Sequence, residues 1–381
     1  MISRYLKSLD WPNSTFLLST MLLTLTAVPL YLWHFGLSWF HAGLFLIFFI
    51  ATGLSITMGY HRLFSHLTFQ ASWPVRLLTL LFGAAAFENS VLAWAADHRR
   101  HHKFVDHDDD PYNINKGFFH AHIGWMLVKS KATPLEGVKD LQQDSLVRWQ
   151  HKHYVVIAIL MCFGLPTLLG ALWDGWSGAL GGFLVAGVAR VVFVNHMTFF
   201  INSWSHTWGS QPYSNRCTAR DNGVLAWLTF GEGYHNFHHA FQHDYRNGVK
   251  PWQFDPTKWS IWLLHKLGLV KELRRVPEES ILLAEIAERQ RQITARLLAA
   301  PKPVAESIRH MLHTAQERLQ HASEHWEQRK IEYRRAAEAK MVASRERLAE
   351  LQNDFREATE RLRAAIREWQ DAHRLVQAQL A

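Results

Sequence analysis

The chain of 381 residues has only 2 cysteines, too few for a disulfide scaffold or for a metal site built from several cysteines. It also lacks the glycine fingerprint that follows a strand in dinucleotide-binding folds, which argues against a flavin or nucleotide site of its own. Its basic residues give a formal net charge of +8, but they flank apolar segments and form no patterned run. We therefore predict no nucleic-acid partner and a position beside a membrane surface.

Charge is distributed unevenly along the chain. Residues 276–381 hold 18 of the 41 Lys and Arg residues and 17 of the 33 Asp and Glu residues, so this part is densely charged and nearly neutral. The preceding part is apolar and carries a net charge of +7. We therefore predict a membrane domain with a cytoplasmic helical cap over 1–275 and a charged helical or coiled-coil extension over 276–381.

The apolar part predicts an all-α membrane protein with four transmembrane helices, each of about twenty mainly apolar residues. Lysine and arginine are concentrated on the side of the termini and the central loop, which predicts that both are cytoplasmic. A fifth apolar stretch, Val75–Ala96, contains Glu88 and Asn89 and is predicted to lie in the interface or to bend within the protein. The four predicted spans are Asn13–His34, Leu37–Met58, Tyr154–Trp173 and Gly178–Phe200.

No proline or glycine occurs between residues 304 and 381, and apolar side chains recur there with heptad spacing. This pattern predicts a coiled coil or a helical hairpin, formed either by self-association or by a long helix folded on its own core. The two stripe positions are occupied by Leu348, Phe355, Leu362, Trp369 and Val376, and by Leu351, Ala358, Ala365 and Ala372.

Histidine is the composition anomaly, with 24 residues in the chain. Two of the clusters have the pattern HxxHH, whose i, i+3 and i+4 positions share one face of an α-helix, so each should present three imidazoles to one point. A third has i, i+5 spacing, which does not share an α-helical face and predicts a helix end. Nine imidazoles are too many for one ion and suit two ions of iron, copper or zinc. They are His61, His66, His98, His101, His102, His206, His235, His238 and His239.

A lone histidine is usually a surface or core residue, so chance must be considered. Two HxxHH patterns and one HxxxxH, all at the predicted cytoplasmic ends of spans, make chance a poor explanation. If Val75–Ala96 crossed the bilayer, His98 and its neighbours would lie on the opposite side from the other clusters.

The stretches HRLFSH, HRRHH, NSWSH and GEGYHNFHH resemble the motifs of membrane fatty-acid desaturases, most closely the stearoyl-CoA Δ9 branch with its bacterial members. The resemblance covers roughly residues 15–272. It implies an O2-dependent oxidoreductase that uses two irons to introduce a cis double bond into a long-chain saturated fatty acyl group. It also implies that the nine histidines hold the irons, that Asn202 reaches one iron through a water molecule, and that zinc could occupy the sites as a non-native replacement.

The resemblance also implies a bent tunnel for the acyl chain. Trp94 and Thr198 match residues that shape the bend, and Phe49 and Gly53 match the closed end. Glu88, a further predicted substrate contact, stands where animal enzymes have Gln. Asn89, Asp97 and Phe199 are further predicted substrate contacts. Ala96 stands where the acyl-CoA enzymes have Arg, so an acyl-lipid or acyl-carrier-protein substrate stays an alternative to acyl-CoA.

The implied partners are membrane lipid and an electron donor, which would be a ferredoxin, rubredoxin or cytochrome b5-like protein with its reductase. The extension could form a homo-oligomer. The implied protein is an integral membrane protein, located in the bacterial inner membrane. Two competing hypotheses are a related diiron hydroxylase or alkane monooxygenase, which would oxygenate the chain, and a metal-binding membrane protein without catalysis.

Overall fold

The computed structural model describes residues 8–129, 135–299, 306–338 and 345–380, and these residues are mostly helical. Contacts between Cα atoms divide the chain into two compact units, Met1–Arg275 and Val276–Ala381.

The first unit contains thirteen α-helices among its described residues, together with π-helical segments and a short two-stranded ladder. The helices are α1 (Trp11–Leu25), α2 (Ala27–Phe35), α3 (Trp39–Leu54), α4 (Trp73–Ala84), α5 (Val91–Phe104), α6 (Trp125–Leu127), α7 (Lys139–Gln143), α8 (Ser145–Ile159), α9 (Leu165–Gly181), α10 (Arg190–Ser203), α11 (Gly223–Leu228), α12 (His235–Ala240) and α13 (Pro256–Lys266). The π-helical segments are Ser55–Ser65, His120–Gly124, Leu160–Gly164 and Gly182–Ala189, a 3-10 turn covers Ile114–Lys116, and strands β1 (Gln70–Ala71) and β2 (Val270–Lys271) pair antiparallel.

Three helical runs within the described residues are long and apolar enough to cross a membrane, namely Trp11–Phe35, Trp39–Ser65 and Ser145–Ser203. The third has 59 residues and contains both of the last two predicted spans. Its backbone leaves the helical region at Asp174 and Gly175, where Gly175 has a φ of 54° that favours glycine. The halves then pack side by side, since a Cβ on Gly182 would lie 2.1 Å from the Pro166 carbonyl oxygen.

The apolar stretch Val75–Ala96 bends within the protein, which is one of the two predicted alternatives. Helix α4 ends at Ala84, and the backbone has positive φ at Phe87 and Asn89 before α5 begins. Two side chains of the third run act as helix caps here: the fully buried Arg190 donates to the Ala85 carbonyl at 2.8 Å, and Asn195 donates to the Ala86 carbonyl at 2.7 Å. The carbonyl groups that the bend exposes are therefore satisfied inside the protein.

The second apolar helical run ends in a π-helical segment, Ser55–Ser65, with His66 as its C-cap. The helix end predicted at these histidines is therefore present, but the expectation that His61 and His66 do not share a face is wrong. The amide of His66 donates to the carbonyl of His61 at 3.1 Å, an i to i+5 bond, and the two rings lie 4.8 Å apart. In an α-helix, positions i and i+5 point to different faces, because they differ by about 140° around the axis. The wider π turn brings the two positions together.

The second unit consists of α14 (Glu278–Ala299), α15 (Glu306–Glu338) and α16 (Arg345–Leu380). Helices α15 and α16 run antiparallel, with Trp326 Nε1 donating to Thr359 Oγ1 at 3.0 Å. The heptad stripe of α16 faces this partner, and its Leu362 and Trp369 are fully buried. The apolar stripe is therefore buried against a helix of the same chain, and a coiled coil between two chains stays a prediction.

Candidate metal centre

The nine predicted histidines converge as two adjacent groups at the end of the apolar run Trp39–Ser65. Within each group the ligand nitrogens all lie within 4.8 Å of one another. Seven of the nine side chains are buried and the other two, His102 and His239, are half-buried. The first group is His61, His66, His98, His102 and His238, and the second is His101, His206, His235 and His239.

Each HxxHH pattern contributes to both groups, contrary to the expectation that it points to one place. In α5, His98 and His102 belong to the first group and His101 to the second. In α12 the assignment is reversed, because His238 belongs to the first group. The physical reason is that i and i+4 differ by about 40° around an α-helix, whereas i+3 and i+4 differ by about 100°. Each of the two helices therefore contributes two imidazoles to one group and one imidazole to the other.

The Nε2 atoms meet at distances that suit a shared metal ion. The Nε2 atoms of His61 and His238 are separated by 3.0 Å, and those of His102 and His238 by 2.9 Å. Three pairs of Nε2 atoms in the second group are separated by 3.1–3.2 Å. Imidazole nitrogen binds such metals at about 2.1 Å, so two ligands at right angles lie about 3.0 Å apart. The residues present therefore fit metal ions, and the donor set of neutral nitrogens suits iron, zinc or copper and not Mg²⁺ or Ca²⁺.

The opposite ring nitrogen of several histidines contacts an oxygen that orients the ring. His61 Nδ1 lies 2.8 Å from Glu232 Oε2, and His101 Nδ1 lies 2.9 Å from Asp110 Oδ1. His206 Nδ1 lies 2.7 Å from Thr218 Oγ1, whose hydroxyl donates to Asp106. Such partners fix the tautomer that leaves Nε2 free to bind a metal.

Glu232 belongs to a buried charge network that joins three parts of the chain. Its Oε1 accepts from Arg62 Nη2 at 2.8 Å, and Arg62 also donates to Asp255. Burial alone would raise the pKa of Glu232, but the neighbouring His61 and the charge and hydrogen bonds of Arg62 hold it at about 2. The carboxylate is therefore ionised at neutral pH, as an acceptor for His61 must be.

The histidines themselves are poised as neutral ligands. Burial, reinforced by the neighbouring imidazoles, holds the pKa well below 6.5 for seven of them, which favours the unprotonated form that binds metals. These seven are His66, His98, His102, His206, His235, His238 and His239.

A cavity of about 220 Å³ reaches both groups from one side. Its lining is mainly apolar and includes His61 and His98 from the first group, and His101 and His235 from the second. Every predicted substrate contact lines it, as does Asn202, which lies outside both histidine groups. These predicted contacts are Trp94, Thr198, Glu88, Asn89, Asp97, Phe49, Gly53 and Phe199.

Trp94 and Glu88 form the polar feature of this cavity. The Trp94 ring stacks on His98 at 4.8 Å, and its Nε1 donates to Glu88 Oε2 at 3.3 Å. Glu88 is 7% exposed, and within the described chain its Oε1 has no hydrogen-bond partner. Burial raises the pKa of Glu88 to about 7, although contacts from Thr198, Trp94 and Asn195 act in the other direction.

Aromatic rings fill the region around Phe49 and Gly53. The Phe49 ring lies 5.2 Å from that of Phe230 and 5.3 Å from that of Phe193. A Cβ on Gly53 would lie only 2.2 Å from Phe230 Cε2, so glycine is what lets this ring approach the helix. Phe230, which the sequence argument did not single out, therefore bounds the cavity here.

The residues that orient the histidines were not predicted from the sequence. Glu232 lies inside the stretch GEGYHNFHH and Asp110 lies 9 residues after His101, yet spacing alone gave them no role. A carboxylate close in sequence to a histidine cluster was the available signal. Arg62 could not have been found in this way, because its partners Glu232 and Asp255 are 170 and 193 residues away.

Comparisons with known proteins agree with this geometry. The family described as fatty acid desaturase matches residues 37–262. Acyl-CoA desaturase 1 of Saccharomyces cerevisiae is 38% identical over 303 residues, which are 77% of this chain and 58% of that protein. A probable acyl-CoA desaturase of Schizosaccharomyces pombe is 42% identical over 249 residues, 65% of this chain and 51% of that protein.

Human stearoyl-CoA desaturase 5 is 36% identical over 239 residues, which are 61% of this chain and 72% of the human protein. The chain thus spans little more than half of the two fungal relatives. These three relatives are fungal and animal, so they do not bear out the predicted bacterial type. The matched family model and the human relative together show that the chain belongs to the fatty acid desaturase family.

Proposed function

We propose that the chain is an O2-dependent acyl-CoA desaturase that introduces a cis double bond at Δ9 into a long-chain saturated fatty acyl group. The observation that carries the proposal is the apolar cavity that meets both histidine groups. The names of the fungal and human relatives support the acyl-CoA substrate. Acyl-lipid and acyl-carrier-protein substrates are the alternatives, because Ala96 replaces the Arg of the acyl-CoA enzymes.

We further propose that the two histidine groups each hold one iron, with Asn202 contributing through water. Two irons would supply the oxygen activation needed to break an unactivated C–H bond, which no side-chain acid or base can achieve. Five nitrogens in one group and four in the other would hold the two irons. Zinc would fit the same nitrogens as an inactive replacement.

The residues of the chain itself hold the substrate and exclude water. The Trp94 ring, stacked on His98, would press one stretch of the acyl chain toward the histidines, while Thr198 and Phe199 line the same cavity. Phe49, Phe193 and Phe230 would limit the length of chain beyond this stretch. Two adjacent carbons would then be held where both hydrogens can be removed, and an acyl chain bent at this point would give the cis product.

The membrane arrangement is part of the proposal. The 59-residue run reverses at Gly175, which supports two crossings and hence four spans in total. We propose that the termini and the histidine groups are cytoplasmic, that residues 1–275 are the catalytic domain, and that residues 276–381 are a helical extension. The reductant is proposed to be a separate ferredoxin, rubredoxin or cytochrome b5-like protein with its reductase.

The test is lipid analysis of host cells that lack their own Δ9 desaturase and express the chain. We expect a cis-Δ9 monoene from the wild type and none above background from His101→Ala or His238→Ala, one variant for each group. His153→Ala, an exposed histidine outside both groups, is the matched control and should retain the product.

Three outcomes would contradict the proposal. A monoene that persists in both variants would refute the role of the histidine groups. A hydroxylated chain would favour the hydroxylase, and stoichiometric metal with no altered lipid would favour a binding protein. Reconstitution with acyl-CoA and with phospholipid-bound acyl chains then identifies the carrier.

A further inference from the structure

The second unit has a pocket of its own, of about 290 Å³, between α14 and α16. All of its lining residues belong to this unit, and it shares none of them with the acyl cavity. Five of the six lining side chains are polar, and each of the five can donate a hydrogen bond. The lining residues are Arg289, Gln292, Ile293, Arg296, His373 and Gln377.

The pocket lies between two helices that run in the same direction. Near the start of α14, Glu279 accepts from the Arg363 guanidinium at 2.6 and 3.0 Å, which ties α14 to α16. Ten residues further along both helices are Arg289 and His373. Ile293, the apolar member of the lining, belongs to the core of the unit. Packing therefore fixes the two walls without a ligand, which reduces the entropy that binding must overcome.

His373 is the buried polar group of this pocket. Its side chain is 5% exposed, and its ring stacks at 4.7 Å on that of Trp369, which is fully buried. Among the described residues, neither ring nitrogen has a hydrogen-bond partner. Burial, reinforced by Arg289, lowers the pKa of His373, so the ring is neutral and offers one N–H. A buried donor without a partner costs free energy, which an acceptor on a ligand would recover.

The pocket also carries positive charge that is only partly neutralised. Arg289 donates to Glu285 at 2.6 Å through one nitrogen, which leaves further N–H groups of the guanidinium for a ligand. Arg296 is exposed and forms no ion pair with the residues that the structure describes. Glu288, on the same helix, is paired with Arg291 at 2.6 Å and does not line the pocket.

The chemistry of the donors favours a tetrahedral anion with several oxygens. The donors come from two helices, and a planar carboxylate is already satisfied by the fork of a single guanidinium. A phosphate monoester has three terminal oxygens that point in different directions and a charge of about −1.5 to −2 at pH 7. Arginine is the side chain that best matches phosphate oxygens in geometry and charge.

We propose that this pocket is a binding site for a phosphate monoester, with Arg289, Arg296 and His373 as its donors. The site is separate from the acyl cavity and does not depend on the proposed desaturase function. The monoester group is the same in a free phosphate ester and in the headgroup of phosphatidic acid, and the experiment distinguishes these two sources.

The first measurement is calorimetric titration of the full-length protein in detergent with glycerol 3-phosphate, with acetate as the comparison anion at equal ionic strength. One variant combines Arg289→Gln with Arg296→Gln. Its matched control combines Arg309→Gln with Arg356→Gln, which removes the same charge from two exposed positions of the same unit outside the pocket. His373→Phe keeps a ring against Trp369 and removes both nitrogens. Helicity and elution volume verify the fold of each variant.

We expect the wild type to bind glycerol 3-phosphate saturably and at least tenfold more tightly than acetate. The pocket double variant should raise the Kd at least tenfold, because two charged hydrogen-bond donors are lost. His373→Phe should also raise the Kd, and the matched control should bind like the wild type.

The second measurement repeats the titration in phosphatidylcholine nanodiscs that contain either phosphatidic acid or phosphatidylglycerol, whose phosphate is a diester. Loss of glycerol 3-phosphate binding with phosphatidic acid alone would identify the lipid headgroup as the occupant. Equal binding in both discs would identify a free ester.

Four results would overturn the proposal. They are no saturable binding by the wild type, an unchanged Kd in the pocket double variant, equal weakening in the matched control, and acetate binding as tight as that of the ester. Competition by phosphatidylglycerol equal to that by phosphatidic acid would also refute a monoester site. None of these readouts requires desaturation, so the proposed function stands or falls separately.

Discussion

The ionisation of Glu88 should control how well the cavity accepts an acyl chain. Glu88 is buried, with a pKa raised to about 7 from the usual 4.5 of a glutamic acid. The protonated fraction therefore falls from about 90% at pH 6 to about 10% at pH 8. An acyl chain offers no hydrogen bonds or water to a carboxylate, so the ionised form should disfavour substrate. We expect kcat/KM for acyl-CoA to fall about tenfold over this range.

Glu88→Gln has nearly the same shape and no titratable proton. The variant should keep the contact with Trp94 Nε1, and its kcat/KM should not fall with pH. The ratio of variant to wild-type kcat/KM should therefore rise about tenfold from pH 6 to pH 8. The assay measures product formation with a saturated acyl-CoA and a chemical reductant, which removes any pH effect on a carrier protein. The ratio also cancels titrations common to both proteins.

Other ionisable groups face Glu88 or the same cavity and must be separated from it. Tyr60 and Tyr154 approach Glu88, and His151 contacts the neighbouring Ser90. Asp97 also lines the cavity, and burial raises its pKa to about 6, against a smaller opposing effect of Arg100. Asp97→Asn should therefore preserve the decline centred near pH 7.

The pH dependence of the free energy of unfolding provides a second test of the raised pKa of Glu88. The pKa of Glu88 is raised in the folded state, so its protonation stabilises the fold fully below pH 4.5, and this contribution is lost as the pH rises through 7. The shift of about 2.5 pH units corresponds to about 3 kcal/mol. Glu88→Gln should therefore gain stability relative to wild type between these pH values. A ratio of kcat/KM that stays flat with pH would refute the reasoning.

Further predictions concern the cavity wall, the buried charges and the second unit. Phe230→Ala should shift the preferred substrate by two or more carbons toward longer chains, measured by competition between acyl-CoA lengths, and unchanged selectivity would contradict this. Arg62→Met should lower stability by about 3–5 kcal/mol, because Glu232 and Asp255 lose a buried partner, and a melting temperature like that of the wild type would contradict it. Deletion after Arg275 should retain desaturation and reduce the oligomer size in detergent, and an inactive but folded truncation would oppose the proposed domain division.

The histidine groups show how far the sequence could lead. Spacing and the predicted topology were enough to gather nine histidines at one end of the spans, and the structure brings all nine together. Spacing could not divide them correctly, because that depends on how α5 and α12 face each other. The pairing of His61 with His66 depends on a π-helical backbone, which hydrophobic periodicity does not report.

The bend at Phe87–Asn89 was predictable only as one of two alternatives. Glu88 and Asn89 made a simple crossing costly, but the caps that stabilise the bend come from Arg190 and Asn195, about one hundred residues later. Likewise, heptads in 345–380 predicted a buried stripe. They could not tell whether its partner would be another part of the same chain, as α15 is, or a second chain.

Each histidine group contains residues of both α5 and α12, and this has a consequence for biosynthesis. The first group lacks His238 and the second lacks His235 and His239 until α12 has been synthesised. Residues 61–102 alone therefore offer four nitrogens to one group and a single nitrogen to the other. A ribosome must translate more than 130 further codons before either site is complete, so the full pair of metal ions should be bound only after α12 has emerged and folded against α5. Metal loading would then report that the whole domain, and not merely its first half, has been made.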